Sequence, residues 1–406
     1  MHIVLINPEH PSPSGNDHGG IATYTYCMAN ALAAEHHTVS ILARRGTIPD
    51  TLNTAVRFYT VDPLPDRPIK QFRDRFRHSP LVHEEGVSRA MEQKVGEINR
   101  RQTVDIVEIP EYSGLAWAFI RVRNRNRYRI VIHFHTPSAL VDQLNNVIVS
   151  KFHRQIHAFE FRALKNAHAY KSPSRAMINE ATRLFSIPAE SITLVPHPLA
   201  LELFSRIVRT DNLGGHYQIL FVGRLECRKG AELLLQSIDS ILNLDPRIQI
   251  SFAGETLIGN ALNYRDAIER SLSETSRGRI WFLGPISRGR LPLLYSRSSL
   301  LIIPSLFENA PYTLFEAMAA QLPVVASDGG GMGEIISHGS NGLLFKRGDA
   351  NSFIACIKEA LRDPAAAKKR AGQALCDLGS RHNPHTVALN AIAHYQSIAQ
   401  KQPPCA

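Results

Sequence analysis

The sequence predicts an α/β protein made of two Rossmann-like, doubly wound domains in tandem, and three observations predict it. Short Val/Ile/Leu runs alternate with longer stretches of helical periodicity. Uninterrupted apolar runs of this kind suit parallel strands covered by helices on both faces. The chain has 406 residues, whereas a single hydrophobic core rarely grows beyond roughly 250–300 residues. Finally, the stiff Val195-Pro196-His197-Pro198 and the loose, polar Asn212-Leu213-Gly214-Gly215 part the strand-like runs into two sets.

The first set begins at the N-terminus. Met1-His2-Ile3-Val4-Leu5-Ile6 lacks the basic start and long apolar stretch of a secretion signal, and Asn7-Pro8 turns the chain. It reads as a buried first strand over 2–6. Further strands are expected over 38–42, 106–109 and 130–133. The second set is expected over 218–222, 249–253, 279–283, 300–303 and 323–326. The domains are accordingly drawn as 1–205 and 206–384. A last helical stretch, 385–406, follows Pro384 and is expected to cross back to the first domain.

Composition narrows the function classes. The chain is 44% hydrophobic and 20% charged, an ordinary globular balance. Its formal net charge of +10 favours anionic partners: phosphate esters, nucleic acid or an anionic membrane surface. No aromatic-basic ladder or zinc motif supports nucleic acid. The five cysteines, Cys27, Cys227, Cys356, Cys376 and Cys405, are scattered and form no C-x-x-C pair. A reducing cytoplasm is therefore expected. No apolar run approaches the roughly 20 residues of a membrane-spanning helix. Two segments, Lys70 to Arg77 and Arg121 to Arg129, are strongly basic. They read either as solvated surface or as contact with an anionic membrane face. In the first, Phe72 and Phe76 interleave with charge, as an interfacial stretch would.

The chemistry-bearing residues fall at predicted strand ends, where open α/β sheets bind ligands. After the first strand comes Ser14-Gly15-Asn16-Asp17-His18-Gly19-Gly20-Ile21, leading into a helix. It is either a bare tight turn or a loop whose N–H groups approach a phosphate. The strand 130–133 exits into Phe134-His135-Thr136-Pro137. There His135 is either a structural imidazole or a hydrogen-bonding group for a substrate. In the second half, Gly223-Arg224-Leu225-Glu226-Cys227-Arg228-Lys229-Gly230 follows a strand and opens a helix. The segment is either a basic surface loop or an anion site, in which Arg224 offers a planar fork for phosphate oxygens and Lys229 a flexible point charge. Pro304-Ser305-Leu306-Phe307-Glu308-Asn309-Ala310-Pro311 then leads into the helical Tyr312-Thr313-Leu314-Phe315-Glu316. A carboxylate there suits adjacent ribose hydroxyls. Asn309, Ala310 and Tyr312 can donate backbone N–H groups; Pro311 cannot. The glycine run Gly329-Gly330-Gly331 follows the next strand.

Taken together, Gly-Arg-x-x-x-x-Lys-Gly, two glutamates with seven residues between them, Glu-Ala-Met-Ala and Gly-Gly-x-x-Glu-Ile-Ile resemble glycosyltransferase family 4. The resemblance is strongest over 223–344 and implies the GT-B fold, with two domains facing a cleft. It also implies retaining, metal-independent transfer from a nucleotide sugar, UDP-sugar first, to a hydroxyl acceptor. It implies Arg224 and Lys229 on the donor diphosphate, Glu316 on the ribose and Glu308 near the sugar ring. By the same likeness Gly20 would approach the phosphate, His135 would stand near the reacting sugar and Gly284 would border the base. Asn309, Ala310 and Tyr312 complete the donor-binding set. Catalytic roles are expected of His135 and Glu308. No cofactor and no metal are expected besides the donor substrate. The acceptor is open: a lipid-linked saccharide or a small molecule, within surface polysaccharide or glycolipid biosynthesis. The expected location is the cytoplasm, with the inner membrane face as a candidate surface. Two departures stand out. Asn309-Ala310-Pro311 replaces the commoner Gly-Phe-Gly, and Val195-Pro196-His197-Pro198 replaces a Pro-Asn-Gly turn. Two other readings share parts of this pattern: a non-hydrolysing nucleotide-sugar 2-epimerase and a nucleotide-sugar-binding protein without catalysis.

Overall fold

The computed structural model describes residues 1–8, 19–44, 52–64, 80–122, 128–199, 204, 207, 215–255, 258–259 and 262–400. The basic segment from Lys70 to Arg77 and the start of the first glycine loop, 14–18, lie outside the described residues, as do 123–127 of the second basic segment.

The described chain forms two compact units. The first comprises Met1–Leu140, Val149–Pro198 and Pro384–Ala406, and the second Val141–Ile148 with Leu199–Asn383. Each is built on its own parallel sheet. In the first unit the strands are β1 (His2–Asn7), β2 (Thr38–Arg44), β3 (Arg57–Val61), β4 (Ile106–Pro110), β5 (Arg129–His133), β6 (Ala169–Ser172) and β7 (Ile192–Leu194). Their spatial order is β3-β2-β1-β4-β5-β6-β7. In the second unit β8 (Tyr217–Val222) and β9 (Ile248–Ala253) precede a small antiparallel pair, β10 (Ile258–Gly259) and β11 (Leu262–Asn263). Then follow β12 (Ile280–Gly284), β13 (Leu300–Ile303), β14 (Val324–Ser327) and β15 (Leu343–Phe345), in the order β12-β9-β8-β13-β14-β15.

The central strands are predominantly apolar on both faces, Glu108 of β4 being a buried exception. β1, β4 and β13 are buried along their whole length, because helices cover both sides of the sheet. Besides the two-residue β10 and β11, the strands that the apolar-run criterion overlooks are β3, β6, β7 and β15, each short, peripheral or polar. The helix Gly20–Ala34 is nearly all apolar and buries ten residues, including Tyr24. It packs against the C-terminal helix Pro384–Ala399, which belongs to the first unit. His385 Nδ1 and Glu35 Oε1, 2.5 Å apart, tie the start of that helix down. In the second unit, Ile219, Phe221, Leu234, Ile238, Ile250 and Phe353 form part of a continuous core between sheet and helices.

Each sheet reverses its winding once: at β1/β4 in the first unit and at β8/β13 in the second. A crevice opens at such a switch point, beyond the carboxyl ends of the strands. The loops after β1, β4, β8 and β13, with those after β5, β12 and β14, carry the residues of interest.

Candidate functional site

In the second unit three loops lock together around the β8/β13 switch. The loop after β8 ends at Gly230, the N-cap of the helix Ala231–Leu242, with φ of 87°. A Cβ there would fall 2.2 Å from the Pro304 carbonyl oxygen, so only glycine fits. The loop after β13 returns the contact: Leu306 N donates to Arg228 O at 2.8 Å. The glycine run after β14 closes the third side. Gly331 N donates to Glu308 O at 2.7 Å, and a Cβ on Gly330 would meet that same oxygen at 2.1 Å. The backbones approach this closely because the glycines carry no side chains there.

The charged groups sit on this frame. Lys229 Nζ donates to Glu308 Oε1 at 2.5 Å, and Ser305 Oγ donates to the same oxygen at 2.8 Å. Arg228 lies 3.8 Å from Glu308 Oε2 and donates to Glu226 Oε1 at 2.8 Å. Arg224 is about half exposed and contacts Glu226 at 3.3 Å. Burial alone would raise the Glu308 pKa, but the charges of Lys229 and Arg228 hold it below the usual carboxylate range. Lys229 is shifted down by burial, against the pull of Glu308. Here is a cluster of three cations and two carboxylates, with Arg224 at its open side.

Glu316 lies in the helix Tyr312–Ala319 and is 4% exposed. Tyr295 donates to its Oε2 at 2.9 Å, and Arg288 lies 3.8 Å from its Oε1. Burial raises its pKa. Pro311 is the N-cap of this helix, in extended conformation, and no side chain caps the helix start. The missing N–H therefore falls just before the first turn, whose N–H groups remain in place. Asn309, Ala310 and Tyr312 are all buried beside it. Gly284 ends β12, its carbonyl accepting from Gly254 N at 2.8 Å.

Sequence reasoning missed Arg228, Ser305, Tyr295, Arg288 and Asn145. Asn145, in the second unit's short segment Val141–Ile148, accepts from Arg228 N at 2.8 Å. For Arg228 a signal was present, since it stands within the Gly-Arg…Lys-Gly pattern. For Asn145 there was none.

In the first unit Gly20 opens the helix Gly20–Ala34, with Gly19 as its N-cap. His135 stands two residues beyond β5. Its ring centroid is 4.4 Å from that of His133, 5.4 Å from Tyr24 and 5.5 Å from His197. Burial, reinforced by His133, holds its pKa well below the histidine range, so the imidazole is neutral. Its backbone N–H donates to Glu111 Oε2 at 2.8 Å. Glu111 follows β4 and is 1% exposed. Burial, together with the Glu160 carboxylate, raises its pKa to about 8.

That shift has a consequence for stability. A carboxyl whose folded pKa lies above its unfolded value stabilises fully below the unfolded value. The contribution is lost as pH rises toward the folded one, at about 1.4 kcal/mol per unit. Glu111→Gln keeps an acceptor for His135 N and cannot ionise. The melting temperature of the wild type is expected to fall relative to Glu111→Gln between roughly pH 5 and pH 8. Parallel melting curves across that range would exclude a neutral Glu111.

Comparison with known proteins places this geometry in context. The family model described as Glycosyltransferase Family 4 matches residues 18–203, and Glycosyl transferases group 1 matches residues 208–374. A glycogen synthase of Mycobacterium tuberculosis is 25% identical over 99% of this chain and 97% of its own. An uncharacterised glycosyltransferase of Methanocaldococcus jannaschii is 23% identical over 98% of each. Among solved structures, sucrose-phosphate synthase of Thermosynechococcus elongatus superposes with a TM-score of 0.77 at 22% identity, covering 98% of this chain and 99% of that one. Anabaena HepE in complex with UDP-glucose gives 0.71 at 16% identity, over 98% and 100%. These likenesses show the GT-B fold.

Proposed function

The chain belongs to the family 4 glycosyltransferases, and on that footing we propose that it transfers a hexosyl group from a UDP-sugar to a hydroxyl acceptor, retaining the anomeric configuration and using no metal. The observation that carries the proposal is the Arg224–Arg228–Lys229 cluster at the β8/β13 switch point, with Glu308 and Glu316 beside it. The Anabaena relative, whose structure holds UDP-glucose, supports the choice of donor.

In this reading the bond between the anomeric carbon and the diphosphate oxygen breaks, and its electron pair moves onto the leaving diphosphate. Arg224 and Lys229 stabilise that charge, as fixed cationic groups do in a water-poor site. The helix start at Gly20 contributes N–H groups toward phosphate in the same way. The acceptor oxygen attacks the anomeric carbon from the face the diphosphate leaves, and its proton passes to the leaving oxygen. No protein nucleophile takes part. Glu316 accepts from the ribose hydroxyls and Glu308 stands by the sugar ring. The N–H groups of Asn309, Ala310 and Tyr312 face the donor, and Gly284 borders the base. A neutral His135 orients the reacting sugar; it does not carry a proton away. The acceptor belongs to a surface polysaccharide or glycolipid, met at the cytoplasmic membrane face. No helix among the described residues is long and apolar enough to cross a membrane.

Thermal-shift measurements with UDP, GDP, ADP and their glucose conjugates test the donor. A ligand that binds only the folded protein at 100 times its Kd stabilises it by roughly 2.7 kcal/mol. UDP and UDP-glucose are expected to raise the melting temperature most. A larger shift with GDP or ADP would overturn the UDP assignment. Turnover that disappears in EDTA would overturn metal independence.

A further inference from the structure

Against His135 in the first unit lies a set of buried side chains that the transfer chemistry above does not use. Lys171, on β6 and fully buried, spends its three protons on three partners. They are Glu108 Oε2 at 2.5 Å, Tyr24 Oη at 2.7 Å and Tyr395 Oη at 3.0 Å. Both tyrosine hydroxyls accept from Lys171 and donate onward to Glu108: Tyr24 to Oε1 at 2.6 Å, Tyr395 to Oε2. Glu108 Oε1 also lies 3.3 Å from His133 Nδ1, and His133 Nε2 lies 3.3 Å from His197 Nε2. Glu108, His133 and His197 are each under 5% exposed.

These contacts fix the protons. Lys171 and His133 keep Glu108 ionised despite its burial, well below the usual carboxylate range. An ionised carboxylate can only accept, so His133 carries its proton on Nδ1. Burial and the Lys171 charge lower the His133 pKa to about 4, so that proton is its only one near neutrality. His133 Nε2 is then an acceptor, and His197 must donate to it through Nε2–H. Contacts run from the buried ion pair, through His133 and His197, to the rings that His135 packs against.

We propose that Glu108 is a positioning residue for His135: held by Lys171, Tyr24 and Tyr395, its carboxylate imposes one tautomer on His133 and the complementary one on His197, and these rings with Tyr24 set the orientation of the His135 imidazole. The catalytic half of this statement rests on the role given to His135 above. The proton assignments do not. His197 thereby acquires a function in the Val195-Pro196-His197-Pro198 segment, where its ring is pinned to β5 through His133. Tyr395 brings the C-terminal helix into the same network.

The test is Glu108→Gln in the full chain, labelled with 15N-histidine. Lys171 must still donate to the glutamine oxygen, so the amide nitrogen takes the place of Oε1 and donates to His133 Nδ1. Long-range 1H–15N spectra at pH 7 are expected to show His133 as Nδ1–H and His197 as Nε2–H in the wild type. In Glu108→Gln both tautomers exchange and the His135 ring signals move. Hydrolysis of UDP-glucose without acceptor is expected to lose roughly 10- to 100-fold in kcat, as misplaced reacting groups do, with KM unchanged. Should Glu108→Gln fold poorly, His197→Ala and His197→Gln replace it. Glutamine can donate to His133 Nε2, so it restores the His135 signals and turnover that alanine loses. Unchanged His133 and His197 tautomers in Glu108→Gln, or a His135 signal and turnover indifferent to them, overturn the proposal. A wild type that cleaves no nucleotide sugar counts against the functional reading alone, and the ring spectra then decide this one.

Discussion

Lys229→Ala is expected to lower turnover of the nucleotide sugar by about 10²–10³-fold, the range seen when one preorganised donor to a developing oxyanion is removed. The side chain is one-fifth exposed and its Nζ lies 2.5 Å from Glu308 Oε1. It can therefore reach a diphosphate without leaving the frame built by Gly230, Pro304 and Gly330. Stability should suffer much less than activity. Glu308 keeps Ser305 at 2.8 Å and Arg228 at 3.8 Å, so its charge is not abandoned. The expected loss is roughly 1–3 kcal/mol, the penalty of one lost partner for a charged group. Glu316→Ala acts differently. It removes the proposed ribose contact and leaves Tyr295 without its acceptor, so donor affinity falls along with kcat. Measuring kcat, KM and the UDP-induced thermal shift for both variants separates the two roles. If both folded variants turn over near the wild-type rate, the cluster is not the donor site.

The sequence shows some layers of this molecule and hides others for identifiable reasons. Continuous apolar runs betray strands buried on both faces, which is why β1, β4, β8 and β13 are readable. β3 is half exposed and carries Arg57, and β6 is Ala-Tyr-Lys-Ser. A lysine within four residues looks like a break in a strand, yet Lys171 is fully buried because its partners come from distant parts of the chain. Tyr24 is 147 positions away and Tyr395 is 224. No local period reports such pairs. The second unit's site is more legible because Arg224, Lys229, Glu308 and Glu316 lie in two short motifs at strand ends. The immediate supports of Glu316, Tyr295 and Arg288, belong to the segment after β12, where nothing in the spacing marks them. Glu111 could have been noticed: carboxylates 108 and 111 bracket the carboxyl end of β4, beside the winding reversal.

Lys171→Ala is expected to be the most destabilising single change of those considered. Breaking a buried ion pair from one side costs about 3–5 kcal/mol, because the remaining charge stays buried without compensation. For a unit of this size each kcal/mol corresponds to about 2–4 °C, so the melting temperature should fall by roughly 10 °C. Removing both charges with apolar replacements, Lys171→Met with Glu108→Leu, should cost less than the single change, since no stranded charge remains. The pH dependence gives the sharper check. In the wild type the Glu108 pKa is depressed, so its stabilisation is present above the unfolded value and is lost as pH falls toward the folded one. Without Lys171 burial dominates and the Glu108 pKa should rise, which reverses the sign: the variant loses stability as pH climbs. The gap between wild type and Lys171→Ala should therefore widen from pH 5 to pH 8. It should stay constant between wild type and the double variant over the same range, where Glu108 is ionised in both the folded and the unfolded wild type. A gap for Lys171→Ala that is flat in pH would mean that the lysine contributes packing and not charge, and the network around Glu108 would lose its electrostatic basis.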